Sequence, residues 1–271
     1  PFSVAYLGPA ASFNQQAPLA KFASGVQQMP EKTIPDVFAA VTRGRATYGV
    51  VPVENSTEGA VTHTLDMLTD ADVHICAEIN LGIHHNLLGR GTCDDLTVVY
   101  SHPQVFGQCR RWLQENLHHV DLVEVSSSAE AARRCREEEG AGALASRLAA
   151  EQYDLDVLAE HIEDFGDNTT RFLVIGSEPA EYTGDDKTSL VFAVNDRVGA
   201  LYDCLFPFRE KRINLTMIES RPSLRRSWDY NFFIDLSGHM SDPVIKEALD
   251  ELATHCQFIR ILGSYPRAVK M

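Results

Sequence analysis

From Val4 to Ile175, short apolar runs break off at glycine, proline or polar clusters, and helical spacing follows. Val4-Ala5-Tyr6-Leu7 stops at Gly8-Pro9, and Ser12 then stands as an N-cap before Phe13-Asn14-Gln15-Gln16, with Gln15 at the capping-box position. Tyr48 to Val53 reads as a strand delivering Glu54-Asn55-Ser56-Thr57-Glu58-Gly59, and Val61 to Leu68 reads as the next helix. Leu96 to Tyr100 ends in Ser101-His102-Pro103-Gln104, where Ser101 can cap and Pro103 suits a first helical turn. Alternating strands and helices pack as helices on a sheet, which makes the fold class α/β. Ligands in such sheets collect outside the carboxyl ends of strands, and these polar clusters sit there.

In Phe165–Ile175 (FGDNTTRFLVI) a turn, Gly166-Asp167-Asn168, precedes a buried strand, Phe172 to Ile175. Thr169, Thr170 and Arg171 lie between them. Polar side chains pinned between a turn and an apolar strand are held by the sheet, as a site requires, although threonine also simply favours strands. Arg171, next to Thr170 in a strand, should face the other way. Breaks near Ile79 and Glu160 indicate that the chain crosses twice between two lobes. Lobe one is then 1–78 with 161–178, and lobe two is 79–160. A cleft between them would gather Ser12, Glu54 to Thr57, Ser101, His102, Thr169 and Thr170. His84 and His85 are adjacent in a strand and point to opposite faces, a poor arrangement for a metal.

Residues 179–187 are polar and turn-rich and read as a linker. Beyond it, strand Thr188–Val194, helix Gly199–Arg209, strands Asn214–Arg221 and Tyr230–Leu236, helix Asp242–Ala253 and strand Phe258–Gly263 form a βαββαβ pattern. That is a ferredoxin-like domain over 188–271, and its open edge suits pairing into a homo-dimer or homo-tetramer. Pro207 inside the first helix should bend it or end it early.

Composition narrows the function. A formal net charge of -14 argues against nucleic acid and anionic membranes as partners. The six cysteines show no paired metal spacing and fit reduced thiols in a cytoplasmic protein. Neither a leader nor a membrane helix is expected, since no apolar span is long enough. The chain opens without methionine, so it is expected either to have lost its initiator or to have been cut from something longer.

The motifs GPAASFNQQA (8–17), VPVENSTEG (51–59), SHPQ (101–104), GALAS (142–146) and NTTRF (168–172) run through the first domain. GALY (199–202), INLTMIESRP (213–222), YNFFIDLSGH (230–239) and LGSYP (262–266) run through the second. On these the chain closely resembles the prephenate dehydratase family with its carboxy-terminal, amino-acid-sensing ACT domain. The resemblance implies a periplasmic-binding-protein-like catalytic domain over 1–178. It also implies loss of water and carbon dioxide from prephenate to give phenylpyruvate, under allosteric control by phenylalanine. The family's motif threonine falls on Thr170, and Glu54 and His102 are the expected proton relay. The resemblance places substrate contacts on Ser12, Asn55, Ser56, Ser101, Gln104, Asn168, Thr169, Arg171 and Phe172. It places the effector at Gly199, Ala200, Leu201, Ile213, Asn214 and Leu215, supported by Glu219, Ser220, Arg221 and Pro222. No cofactor or metal is expected: the reaction asks only for a donor to the leaving hydroxyl and for alignment, and the chain shows no HExxH, GxSxG or nucleotide loop. The alternatives are the same fold acting on arogenate, and a non-catalytic protein that binds a small molecule between the lobes.

Overall fold

The computed structural model describes residues 2–22, 25–223 and 229–268, so the chain ends that bound the expected domains lie outside them. In chain order the first lobe holds β1 (Ser3–Leu7), α1 (Phe13–Phe22), β2 (Gln27–Glu31), α2 (Ile34–Thr42), β3 (Tyr48–Asn55), β4 (Gly59–Ala60), α3 (Thr62–Asp70) and β5 (His74–Gly82). The second holds β6 (Asn86–Gly89), β7 (Val98–Ser101), α4 (Pro103–Gln108), α5 (Arg110–Asn116), β8 (Asp121–Glu124), α6 (Ser128–Glu137), β9 (Ala141–Ala145), α7 (Arg147–Tyr153) and β10 (Asp156–Ala159). The chain then returns to the first lobe through β11 (Thr169–Gly176). The last domain is β12 (Asp186–Val194), α8 (Ala200–Glu210), β13 (Leu215–Pro222), β14 (Tyr230–Ser237), α9 (Pro243–His255) and β15 (Cys256–Pro266).

Strand order in lobe one is β2-β1-β3-β11-β5, with β4 on β3. β1 runs parallel to β2 and β3, whereas β11 is antiparallel to both β3 and β5. The end of β1, the end of β3 and the start of β11 therefore share one edge. Helix α2 starts there for local reasons: Thr33 Oγ1 accepts from the Asp36 N–H at 3.2 Å, and Pro35 sits in the first turn. Its Val37, Phe38 and Val41 pack on Val51, Val53 and Leu173. Phe172 and Val174 face the other way, onto Val4, Val50 and Ala17 of α1. Burying side chains of this size contributes about 1.5–3 kcal/mol each.

Lobe two orders its strands β10-β6-β9-β7-β8. β7 and β9 are parallel, and Asn86 at the head of β6 pairs with Ala145 at the tail of β9. Its polar strand ends and the incoming crossover therefore share an edge as well. The crossings lie later than the sequence suggests. β5 does not stop near Ile79; it pairs with β11 from His74↔Gly176 to Gly82↔Thr169, which carries lobe one to residue 82. The two connections are residues 83–85 and 160–168.

The last domain has the order β13-β14-β12-β15. Helices α8 and α9 cover one face through Cys204, Phe208, Leu249 and Leu252. α8 runs through Pro207 without ending, since buried Pro207 lies near the helix end and forfeits only one backbone bond. The other face is not free. Its Val191, Phe233, Leu262 and Tyr265 belong to the same core as Val51, Leu65, Ile75 and Leu173 of lobe one. At Gly263 the approach is backbone to backbone: a Cβ there would lie 2.4 Å from the Ile75 carbonyl oxygen. The expected linker is partly ordered by Asp186, which accepts from the Thr183 hydroxyl at 2.6 Å and from the Gly184 N–H at 3.0 Å.

Candidate functional site

Thr170 pairs opposite Asn55, so both side chains stand on the same side of the sheet. Asn55 Nδ2 donates to Thr170 Oγ1 at 2.8 Å and to Asn168 Oδ1 at 3.0 Å. Its Oδ1 accepts from the Thr57 N–H at 2.9 Å, the Thr57 hydroxyl at 2.6 Å and the Glu58 N–H at 3.2 Å. Backbone N–H groups can only donate, which settles which end of the amide is which. Thr170 Oγ1 therefore receives a hydrogen bond and keeps its own hydrogen to give. Ser56 ties the strand end to the turn: its N–H donates to the Thr169 carbonyl at 2.9 Å, and its hydroxyl accepts from the Thr169 N–H at 2.9 Å. Thr170 and Asn168 are only 9% and 5% exposed.

A second set of unspent polar atoms lies at the head of α1, at the end of β7 and on the first crossing. Ser12 Oγ, Ser101 Oγ and His85 Nδ1 are buried without a hydrogen-bond partner. Neither serine caps a helix as expected. Gln15 reaches back to the Ala11 N–H at 2.7 Å, and it is His102 whose Nδ1 accepts from the Gln104 N–H at 3.3 Å. Occupied Nδ1 leaves the hydrogen of neutral His102 on Nε2. Gln104 itself is exposed. His85 Nε2 lies 2.6 Å from Gln108 Oε1, an acceptor, so Nε2 carries the hydrogen and Nδ1 is left bare. Burial pushes the His85 pKa down, against the pull of Gln108 and Glu163. Ala11 sits in the left-handed region at φ 65° and packs with Leu88, Tyr100 and Ala145 of lobe two. Its carbonyl accepts from Ser146 Oγ at 3.4 Å, and Gln152 Nε2 reaches Gln15 Oε1 at 2.9 Å. The lobes thus meet through the start of α1. Ser146 and Ala11 were given no role from the sequence, and His85 was weighed there only as a poor metal ligand.

Three expected site residues point elsewhere. Glu54 pairs opposite Arg171, one position along from Asn55, and so lies on the opposite side of β3 from the Thr170 hydroxyl. Arg171 is no substrate clamp: its guanidinium donates to Glu78 at 2.7 Å, to Asp235 at 2.6 Å and to the Tyr265 hydroxyl at 2.9 Å. Phe172 is 1% exposed, a core side chain against α1 and β1. At the crossings, His84 Nδ1 meets Glu163 at 2.7 Å, and the His84 and His161 rings stack 4.1 Å apart and 3° from parallel. Lone pairs in parallel planes do not converge on one ion, so this trio is a poor metal ligand set as it stands.

In the last domain Gly199 takes φ 76° at the head of α8, and with Ala200 and Leu201 it lines an open cavity of about 300 Å³ that also includes Arg197 and Phe232. Ile213 and Leu215 are partly buried against the helix core, and Asn214 is exposed. Glu219 and Ser220 alternate along β13. Arg221 turns to lobe one, donating to Asp66 at 3.0 and 2.8 Å, and Pro222 lines a cavity of about 240 Å³ beside it.

Comparison with known proteins follows the same division. A prephenate dehydratase family model matches residues 4–180, and an ACT domain model matches 188–254. The bifunctional chorismate mutase/prephenate dehydratase of Pseudomonas aeruginosa is 47% identical over 271 residues, covering 99% of this chain and 74% of that protein. The crystal structure of prephenate dehydratase from Arthrobacter aurescens in complex with L-Phe superposes with a TM-score of 0.88 at 34% identity, covering 98% of this chain and 90% of that one. A structure described as GqqA, a novel type of quorum quenching acylase, superposes with a TM-score of 0.88 at 32% identity over 98% of each chain. By the length of the family match and by these identities, the chain belongs to the prephenate dehydratase family and carries an ACT domain behind its two lobes.

Proposed function

We propose that prephenate loses water and carbon dioxide in the seam between the lobes, with Thr170 hydrogen-bonding the departing hydroxyl. The observation that carries this reading is the Asn55 amide: by donating to Thr170 Oγ1 it leaves the threonine's own hydrogen unspent. Aromatisation makes the product side steeply downhill, so hydroxide departure is the barrier. A fixed donor aimed at that oxygen lowers it. A threonine hydroxyl is too weak an acid to give up its proton outright. His102 can supply the proton from lobe two only as the imidazolium, which gives up the Nδ1 contact with the Gln104 N–H and returns to neutral imidazole as water leaves, and Glu54, on the Arg171 side of β3, is left out of the relay. Asn168, Thr169, Ser12 and Ser101 offer polar groups for the two carboxylates. Burial of the seam would leave the ring carboxylate poorly solvated, which favours its departure as carbon dioxide. Because these atoms are covered, substrate enters only when the lobes part.

Phenylalanine is the proposed inhibitor, supported by the L-Phe complex of the Arthrobacter relative. Its site is proposed at Gly199 to Leu201 and Ile213 to Leu215, with Glu219 to Pro222 alongside, where ACT domains of a homo-dimer or homo-tetramer would meet. Six unpaired cysteines suit a cytoplasmic setting, and among the described residues no helix is long and apolar enough to cross a membrane. The test is the ultraviolet absorbance of phenylpyruvate formed from prephenate, with and without phenylalanine. No turnover of prephenate would sink the reading, and parallel turnover of arogenate would reassign the substrate.

A further inference from the structure

We propose that Arg171 is a positioning residue for the dehydration, held by Asp235 and Tyr265 of the ACT sheet so that this sheet sets the seat of Thr170. The inference rests on the proposed role of Thr170. Arg171 is its neighbour on β11 and points to the opposite face, where every edge of the guanidinium is taken. Nε meets Glu78 of β5, Nη1 meets Asp235 of β14, and Nη2 meets the Tyr265 hydroxyl of β15. Lys187 of β12 shares Glu78 Oε2 at 2.9 Å, and the Ala268 N–H donates to Glu78 Oε1 at 2.9 Å. Ser189 closes the ring, 2.5 Å from both Asp235 Oδ1 and the Tyr265 hydroxyl.

Two cations face two anions, all with side chains 12% exposed or less. Such a cluster holds one geometry, because moving any member strands a buried charge. Three strands of the ACT sheet contribute to it. One of them, β12, leads directly into Gly199 and the head of α8, where the effector is proposed to bind. A bulge between Arg171 and Phe172 in the pairing with β3 falls at the same point, so a shift of the guanidinium turns the strand where it carries Thr170. A shift of β12, β14 or β15 therefore reaches the catalytic strand through this polar cluster as well as through the shared core.

The experiment uses the full chain with Asp235→Asn and, separately, Tyr265→Phe, which removes a single oxygen. Measured are kcat and KM for prephenate, phenylalanine binding by calorimetry, and inhibition by phenylalanine. Expected is a loss of roughly 10- to 100-fold in kcat with KM changed less than about twofold, the signature of a misplaced reacting group. Phenylalanine should still bind, yet inhibit less. A purely structural role would lower melting temperature and leave the kcat of the folded fraction and its inhibition intact. That result, or a Tyr265→Phe enzyme identical to wild type in both, overturns the proposal. Should Asp235→Asn not fold, Tyr265→Phe alone decides. A wild-type protein that does not turn over prephenate would sink the functional reading instead.

Discussion

Asn55 gives both hydrogens of its amide to the residues it must hold, Thr170 and Asn168, and its oxygen is saturated by the turn that follows β3. It should act through Thr170. Thr170→Ala is expected to lower kcat by roughly 100-fold or more, as removal of a preorganised donor does. Asn55→Ala alone should cost a similar factor, while adding it to Thr170→Ala should cost little more, since residues acting as one unit are not additive. Steady-state kinetics of the four enzymes in the cycle checks this, and full additivity would separate the two residues. Thr170 stood out in the sequence as a hydroxyl between turn and strand. Asn55 as its partner did not, because that pairing depends on a bulge between Arg171 and Phe172 that no local pattern reports.

At the scale of elements, alternation of strand and helix was legible over most of the two lobes, since it is written in spacing along a few residues; β2, polar and carrying Pro30, escaped it. The βαββαβ order of the last domain was legible for the same reason. The length of β5 was not: its polar end is kept in the sheet by β11, a strand contributed from far along the chain. Nor was the docking of the ACT sheet. Arg171 and Asp235 stand 64 residues apart, and a charged side chain buried in a partner domain looks in sequence like any exposed one. The backbone approach of β15 to β5 gives a direct prediction. Gly263→Ala drives a methyl into the Ile75 backbone, where neither strand can yield without losing its own pairing. The expected cost is about 1–3 kcal/mol, read by thermal or denaturant unfolding.

For the whole molecule, acid should act at the join between the domains. Burial alone would raise the Glu78 pKa, but the Arg171 guanidinium, the Ala268 N–H and Lys187 hold it below the usual range. A depressed carboxylate binds protons less readily in the folded than in the unfolded state. Its contribution is therefore complete above the unfolded value near 4.3 and is lost as pH falls through the lower folded value. The gap in melting temperature between wild type and Glu78→Gln should be widest near neutrality and should narrow below about pH 4. A gap that stays constant with pH would mean that the Glu78 charge does not stabilise the join.

The shared core under the ACT sheet also has a practical side. Cutting off the tail is the direct way to remove the proposed sensor. Here, removing residues after 178 would strip Val191, Phe233, Leu262 and Tyr265 from Leu65, Ile75 and Leu173, and leave an apolar wall facing water. Such a truncate should precipitate rather than run unchecked. Release from the proposed inhibition is therefore expected from substitutions that leave the tail in place.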